Sequence, residues 1–228
     1  LDGWNQQALN DTKAWQMGRG QLWHPNYDPY DIFAIQDAHM AMSERVLGLV
    51  ADSVATPILI TQGAAYPQGR MINAMVKGID PHQTLLKLPT RYLDGADGEL
   101  CAIIGKRMAK SARLAQCDRV LVRWRDAKGT FDAREVLIAN VFSSDVPMVD
   151  MNTFWVPLAQ LQQMTGMDHH ATYLVLGEGY TGKGIDQWQY KDLDALLADL
   201  NSMMAQEKAE SRVVYGLLLA LALLAVFD

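Results

Sequence analysis

The fifteen residues Val213-Val-Tyr-Gly-Leu-Leu-Leu-Ala-Leu-Ala-Leu-Leu-Ala-Val-Phe227 carry no charge and are followed only by Asp228. A helix at the edge of a globular core keeps a polar stripe toward water, and this run has none on any face. As a helix it reaches about 22 Å, short of the hydrocarbon core of about 30 Å. It is expected to be the start of a membrane span cut off by the chain end, with a buried core helix as the competing reading. Upstream, Leu193, Leu196, Leu197, Leu200, Met203 and Met204 recur as one apolar stripe, the mark of an amphipathic helix. Asp192, Asp194, Asp199 and Glu207 fall mainly off it. No breaker separates the stripe from the apolar run. One helix over 186–227 would be about 63 Å long, the profile of a rod that leaves a water-facing lobe and enters lipid.

The rest of the 228-residue chain is that of a globular protein: half its residues are apolar, 20% are charged, and the formal net charge is −6. An acidic chain lacks the basic footprint of a nucleic-acid binder, so nucleic acid is not an expected partner. Cys101 and Cys117 are the two cysteines, and no Cys/His spacing suggests zinc. They can pair as a disulfide in an oxidising compartment or stand as two separate thiols, one of them buried, since spacing alone does not supply the geometry a bond requires. The chain starts at Leu1 without the pattern of a secretory leader, and both ends are expected to be cuts from something longer.

Segment by segment, the pattern predicts an α+β fold. Residues 1–17 read as a helix and 18–24 as a short strand. A turn-rich connector, WHPNYDPYD, follows with two prolines and three aromatics. Asp31 can cap a helix running to about residue 51, with Ala38, Met42, Val46 and Leu49 as its stripe. Strands are expected over 54–62, with Pro57 near its start or at an edge, and over 70–79. Residues 99–114 read as a helix that a short strand can enter, with Lys106, Arg107, Lys110 and Arg113 as a solvated basic face. Residues 118–142 are the clearest hairpin: VLVRW alternates and Asp126-Ala-Lys-Gly129 turns. An extended piece at 149–158, a helix over 157–164 opened by Pro157, a strand over 170–176 and the long helix from about Asp186 complete the chain.

The stretch GEGYTGKG, residues 177–184, fits both G-x-G-x-x-G and most of the phosphate-loop pattern. A phosphate loop needs a hydroxyl directly after its lysine to hold magnesium, and Gly184 follows Lys183. A dinucleotide fold needs a further strand beyond, and none is expected after 184. The four glycines are expected to make a tight connection; a nucleotide enzyme using this loop is the alternative reading. Adjacent His169 and His170 would point to opposite faces of a strand, while His24, His39 and His82 are scattered. No metal, cofactor or catalytic residue is expected, and the twelve methionines read as core filler.

Four stretches, in fixed order, resemble MacB/FtsX/LolC-type ABC transporter permeases. MGRGQLWHPNYDP resembles the family's "GH-x-Q-I-H-x-P-G-Y" after its first membrane helix, and MVKGIDP its "V-x-GIDP". ELCAIIGKRMAKSARL followed by CDRVLV resembles "IIG-x-x-LA…-GD-x-v-x-v". VLIANVFSSDVPMVDMNTFWVPLAQLQ resembles "f-x-V-x-G-x-f-x-s-g-x-x-x-vD…v-x-l…Q". There are departures: Cys117 replaces a family glycine, Asn140-Val-Phe replaces another, and the hairpin turn is only about Asp126–Thr130, without the long hook of chaperone-docking members.

The resemblance implies an extracytoplasmic, periplasmic domain of a permease in a bacterial inner membrane. It implies a two-lobed α+β fold: 1–17 as a helix following the first membrane span, 18–66 plus 170–185 as a βαβ-containing porter-like lobe, 67–169 as an inserted mostly-β lobe, 186–212 as a stalk helix and 213–228 as the start of a second span. It implies a cytoplasmic ABC ATPase subunit, a second permease copy (homo- or heterodimer) and the membrane as partners, with a periplasmic adaptor left open, and no enzymatic role for the chain itself. ATP hydrolysis elsewhere would be coupled to extracytoplasmic transport or mechanotransmission, with lipid, lipoprotein, peptide or drug-type export as the range. From the residues alone, Trp23, Tyr27 and Tyr30 of the aromatic connector and Lys128 of the hairpin turn are candidate partner or substrate contacts, and a stand-alone extracytoplasmic binding module remains a third reading.

Overall fold

The computed structural model describes residues 2–95 and 98–198. The expected span at 213–228 and residues 199–212 of the expected stalk lie outside the described residues. Among the described residues, no helix is long and apolar enough to cross a membrane.

Nine strands form one mixed sheet: β1 (Gly20–Trp23), β3 (Ala55–Ala65), β4 (Ile72–Ile79), β5 (Cys101–Gly105), β6 (Arg119–Arg125), β7 (Phe131–Phe142), β8 (Thr153–Pro157), β10 (Tyr173–Leu176) and β11 (Gln189–Lys191). Their order is β11-β1-β10-β3-β4-β8-β5-β7-β6, and β6 pairs back onto β3. Strand β3 is long enough to serve two partners along one edge. Ala55–Ile58 pair with β10, and Gly63–Ala65 pair with β6, while the other edge carries β4 from Leu59 onward. The six strands β3-β4-β8-β5-β7-β6 therefore close on themselves as a small barrel, which removes exposed sheet edges. The remaining arm, β10-β1-β11, flares away from the first half of β3. Pro57 lies in that half, where β4 has not yet begun. A short second sheet pairs β2 (Met40–Ala41) with β9 (His170–Ala171).

Burial follows this geometry. β6 and β7 have one face toward water, and β6 alternates strictly, with Val120, Val122 and Trp124 inside. β5 and β8 are buried at every position, because both their faces are covered. Leu59, Val76, Ile104, Phe154 and Val156 fill the barrel, while Ile58, Ile60, Ile103 and Trp155 pack on its outer surface under Leu86, Leu88 and Leu93 of the 80–100 segment. A third cluster, Leu22, Val46, Leu174, Leu176 and Trp188, lies beneath α3 (Glu44–Ala51) in the flared arm.

Two helices close the barrel, and each is tied by side chains distant in sequence. α4 (Lys106–Ala112) follows β5 directly, and its N-cap residue, Gly105, has no side chain to offer. Asp150, at the end of α5 (Pro147–Asp150), supplies the missing acceptor: its Oδ1 takes the Arg107 backbone N–H at 2.9 Å, and its Oδ2 takes the guanidinium at 3.0 Å. α6 (Leu158–Thr165) packs Leu158 and Leu161 over Gly78 of β4 and ends at Gly166 in the left-handed conformation.

Several expectations need correction. The helix expected over 31–51 is two: α2 (Ile32–Ile35), capped by Asp31, and α3, capped by Ser43, with β2 between them. The short strand that could enter the expected helix 99–114 is present and takes residues 101–105, which leaves α4 only seven residues long. The rod expected from Asp186 does not begin there: 185–188 make a tight turn, β11 follows, and helical residues start at Leu193. A strand thus does follow the glycine-rich stretch. Cys101 and Cys117 are both free thiols, the first buried in β5 and the second exposed. The α1 helix (Asp2–Thr12) continues into a wider π turn over Lys13–Met17, then β1.

Candidate functional site

The glycine-rich stretch does not have the shape of a phosphate loop. Such a loop aims its N–H groups from the start of a helix, and here residues 177–184 lead into the Ile185–Trp188 turn and β11. The glycines serve packing. A Cβ at Gly177 would meet Leu85 Cδ2 at 2.7 Å, one at Gly182 the ring of Tyr180 at 2.4 Å, and one at Gly184 the Trp188 carbonyl at 2.6 Å. Lys183 is exposed. Glu178 is ion-paired with Arg19, and both line a shallow depression of about 390 Å³ to which Lys183 does not contribute.

The aromatic connector builds something more definite. His24 turns the chain, its carbonyl accepting from the Tyr27 N–H at 2.9 Å and its Nδ1 from the Asn26 N–H at 3.1 Å. Asp28 then accepts from the Tyr30 N–H and Asp31 from the Phe33 N–H. These local bonds lay Tyr27 against Trp23 edge-on, with ring centres 5.0 Å apart, and flat on Tyr173 of β10 at 5.4 Å. Trp23 is fixed at its other end: its Nε1 donates to Gln21 at 2.6 Å, and Gln21 in turn donates to the Gln16 carbonyl.

Behind this aromatic wall is a cavity of about 370 Å³, lined by Trp23, Tyr27, Tyr30, Tyr173, Met148 and Lys77 among others. Its size and lining are those of a small-molecule site. Lys77 is the unusual member. It sits on the outer face of β4, is 9% exposed, donates a long bond of 3.4 Å to the Met148 carbonyl, and holds its Nζ 5.2 Å from the centre of the Trp155 ring. Among the described residues, no carboxylate forms an ion pair with it. Burial without a counter-charge disfavours the ammonium, and its pKa is held down to about 8. Burial likewise pushes the Tyr173 phenol up, and burial with Tyr173 and Asp28 nearby pushes Tyr27 well up, so both rings are neutral at any physiological pH.

The structure therefore brings Trp23, Tyr27 and Tyr30 to one cavity and leaves Lys128 out of it. Lys128 lies in the turn between β6 and β7, its backbone N–H bonded to Asp126. Lys77, Met148 and Tyr173 had no local signal as site residues, although a lysine inside the apolar MVKGI strand is the one feature that could have marked it. A second grouping was also hidden. His39 and His170, 131 residues apart, share a contact of 2.8 Å between their Nδ1 atoms. Burial lowers both pKa values, and for His39 the neighbouring His170 and His24 lower it further. Among the described residues, no group of three or more His, Cys, Asp or Glu could hold a metal.

No protein-family model matches the sequence, and no curated protein does. Among solved structures, the chain is similar to the extracellular domain of a noncanonic ABC-type transporter, YknZ, from Gram-positive bacteria. The two share 16% identity at a TM-score of 0.46, over 76% of this chain and 99% of that one.

Proposed function

We propose that this chain is the extracytoplasmic domain of an ABC transporter permease, a part that moves with its membrane helices and does no covalent chemistry itself. The observation that carries the reading is the fixed order of four permease-like stretches ahead of an uncharged fifteen-residue run. Two contacts support it, because residues from separate stretches depend on each other. Gly105 of the "IIG" stretch has no room for a Cβ, which would lie 1.7 Å from Oδ1 of Asp150 in the "vD" stretch. Gly78 of "V-x-GIDP" lies beneath Leu158 and Leu161 of the stretch that follows Asp150.

In this reading the partners are a cytoplasmic ATPase subunit, a second permease copy and the membrane, with the domain on the periplasmic side of a bacterial inner membrane. Residues 18–66 with 170–185 act as the porter-like lobe and 67–169 as the inserted lobe. The helical residues from Leu193 lead toward the second span, and displacement along them reaches the lobes through β11 and β1. The short β6–β7 turn, Asp126 to Thr130, offers no long hook for a chaperone. Deleting 213–228 from the complete protein tests this. The circular dichroism spectrum and thermal midpoint of the lobes should persist while copurification with the ATPase and transport are lost. Unfolding of the lobes would instead make 213–227 part of their core and contradict the proposal.

A further inference from the structure

The cavity behind the aromatic connector is a built site with one buried charge. Its walls come from separate parts of the chain: β1 and the connector supply Trp23, Tyr27 and Tyr30, β10 supplies Tyr173, α5 supplies Met148, and β4 supplies Lys77. A methionine would fill the place of Lys77 without a desolvation penalty, since the neighbours on that face of the sheet are Met75, Ile79 and Trp155. An ammonium has three donors, and among the described residues a single long bond to the Met148 carbonyl engages one. The Trp155 ring supports positive charge from one side, but it accepts no strong hydrogen bond. The site is thus complementary to an acceptor that brings a full negative charge, attached to a body that can lie on aromatic and thioether surface.

We infer that this cavity binds a small amphiphilic carboxylate, with its anionic end on Lys77 and its apolar body against Trp23, Tyr27, Tyr173 and Met148. Tyr30, largely exposed at the rim, marks the side from which such a ligand enters. A charge-assisted bond to a buried ammonium is stronger than a neutral one, so discrimination rests on the head group, while the aromatic wall accepts a range of apolar bodies. The inference does not depend on the transporter reading: the cavity belongs to the described lobes and needs neither the membrane nor an ATPase.

Calorimetry on the full chain with phenylbutyrate, and with phenylbutyramide as its neutral isostere, tests it. Phenylbutyrate should bind with a stoichiometry of one, and the amide about tenfold more weakly or worse. In Lys77→Met the preference for the carboxylate should vanish, with amide binding kept or improved. Amide chemical-shift changes in the unsubstituted protein provide a readout that no variant can confound. They should centre on Trp23, Tyr27, Lys77, Met148 and Tyr173. Equal affinity for acid and amide, an unchanged preference in Lys77→Met, or shifts scattered away from the cavity would overturn the inference.

Discussion

Lys77 shows how one residue can cost stability at the place where it offers recognition. Its pKa is about 8 in the folded protein against 10.5 unperturbed. Below about pH 8 both folded and unfolded chains carry the proton, and folding bears the full desolvation cost, on the order of 3 kcal/mol. Between about 8 and 10.5 the folded state has already released the proton and the unfolded state has not, so the cost fades. Lys77→Met should therefore be more stable than the parent at pH 7, and the advantage should shrink toward zero by pH 10.5. Urea denaturation of the pair at several pH values measures this, and an advantage constant with pH would contradict it. The His39–His170 contact acts with the same sign in a lower pH window. Two rings whose nitrogens meet at 2.8 Å share one proton well and two poorly. Their lowered pKa values mean the unfolded chain takes up protons first as pH falls through about 6.5, so stability is lost on acidification. Asp37 and Asp168 oppose the effect without cancelling it. His39→Gln should flatten the decline in thermal midpoint between pH 7 and 5.

At the scale of elements, the barrel is closed by contacts that leave no slack. Gly105→Ala would drive a methyl group into Asp150 and break the cap it gives to α4. A loss of at least about 3 kcal/mol is expected, read as a lower denaturant midpoint. Gly48 is the control: it lies inside α3 with nothing near a Cβ, and Gly48→Ala should stabilise by about 0.5–1 kcal/mol. The same contrast explains what could be read in advance. The hairpin of β6 and β7 was legible because Val120, Val122 and Trp124 alternate with exposed residues and Asp126 with Gly129 makes a local turn. Of the expected stripe Ala38, Met42, Val46 and Leu49, the first three are buried and Leu49 is half-buried. The stripe comes, however, from a loop, the residue after β2 and α3, not from one helix, and only Met42, Val46 and Leu49 meet in one cluster. β11 was hidden because three residues, Gln189 to Lys191, owe their strand to pairing with β1 and not to their own pattern. Lys77 and Tyr173 meet only when the chain is folded, so their shared cavity had no expression in local sequence.

Among the described residues, a closed barrel is joined through one long strand, β3, to a flared arm. The sheet runs without a break from β6 to β11, so β11, β1 and β10 connect the start of the helical residues at Leu193 to β3, which belongs to both parts. That continuity suits the proposed role of a lever set between membrane helices and an outer lobe. The most direct measurement uses the exposed thiol of Cys117, with Cys101 buried and out of reach. In spheroplasts making the complete protein, a membrane-impermeant maleimide should label Cys117 to the same extent before and after lysis, and Cys117→Ser should lose the label. Labelling of Cys117 that appears only after lysis would place the domain in the cytoplasm and contradict the account.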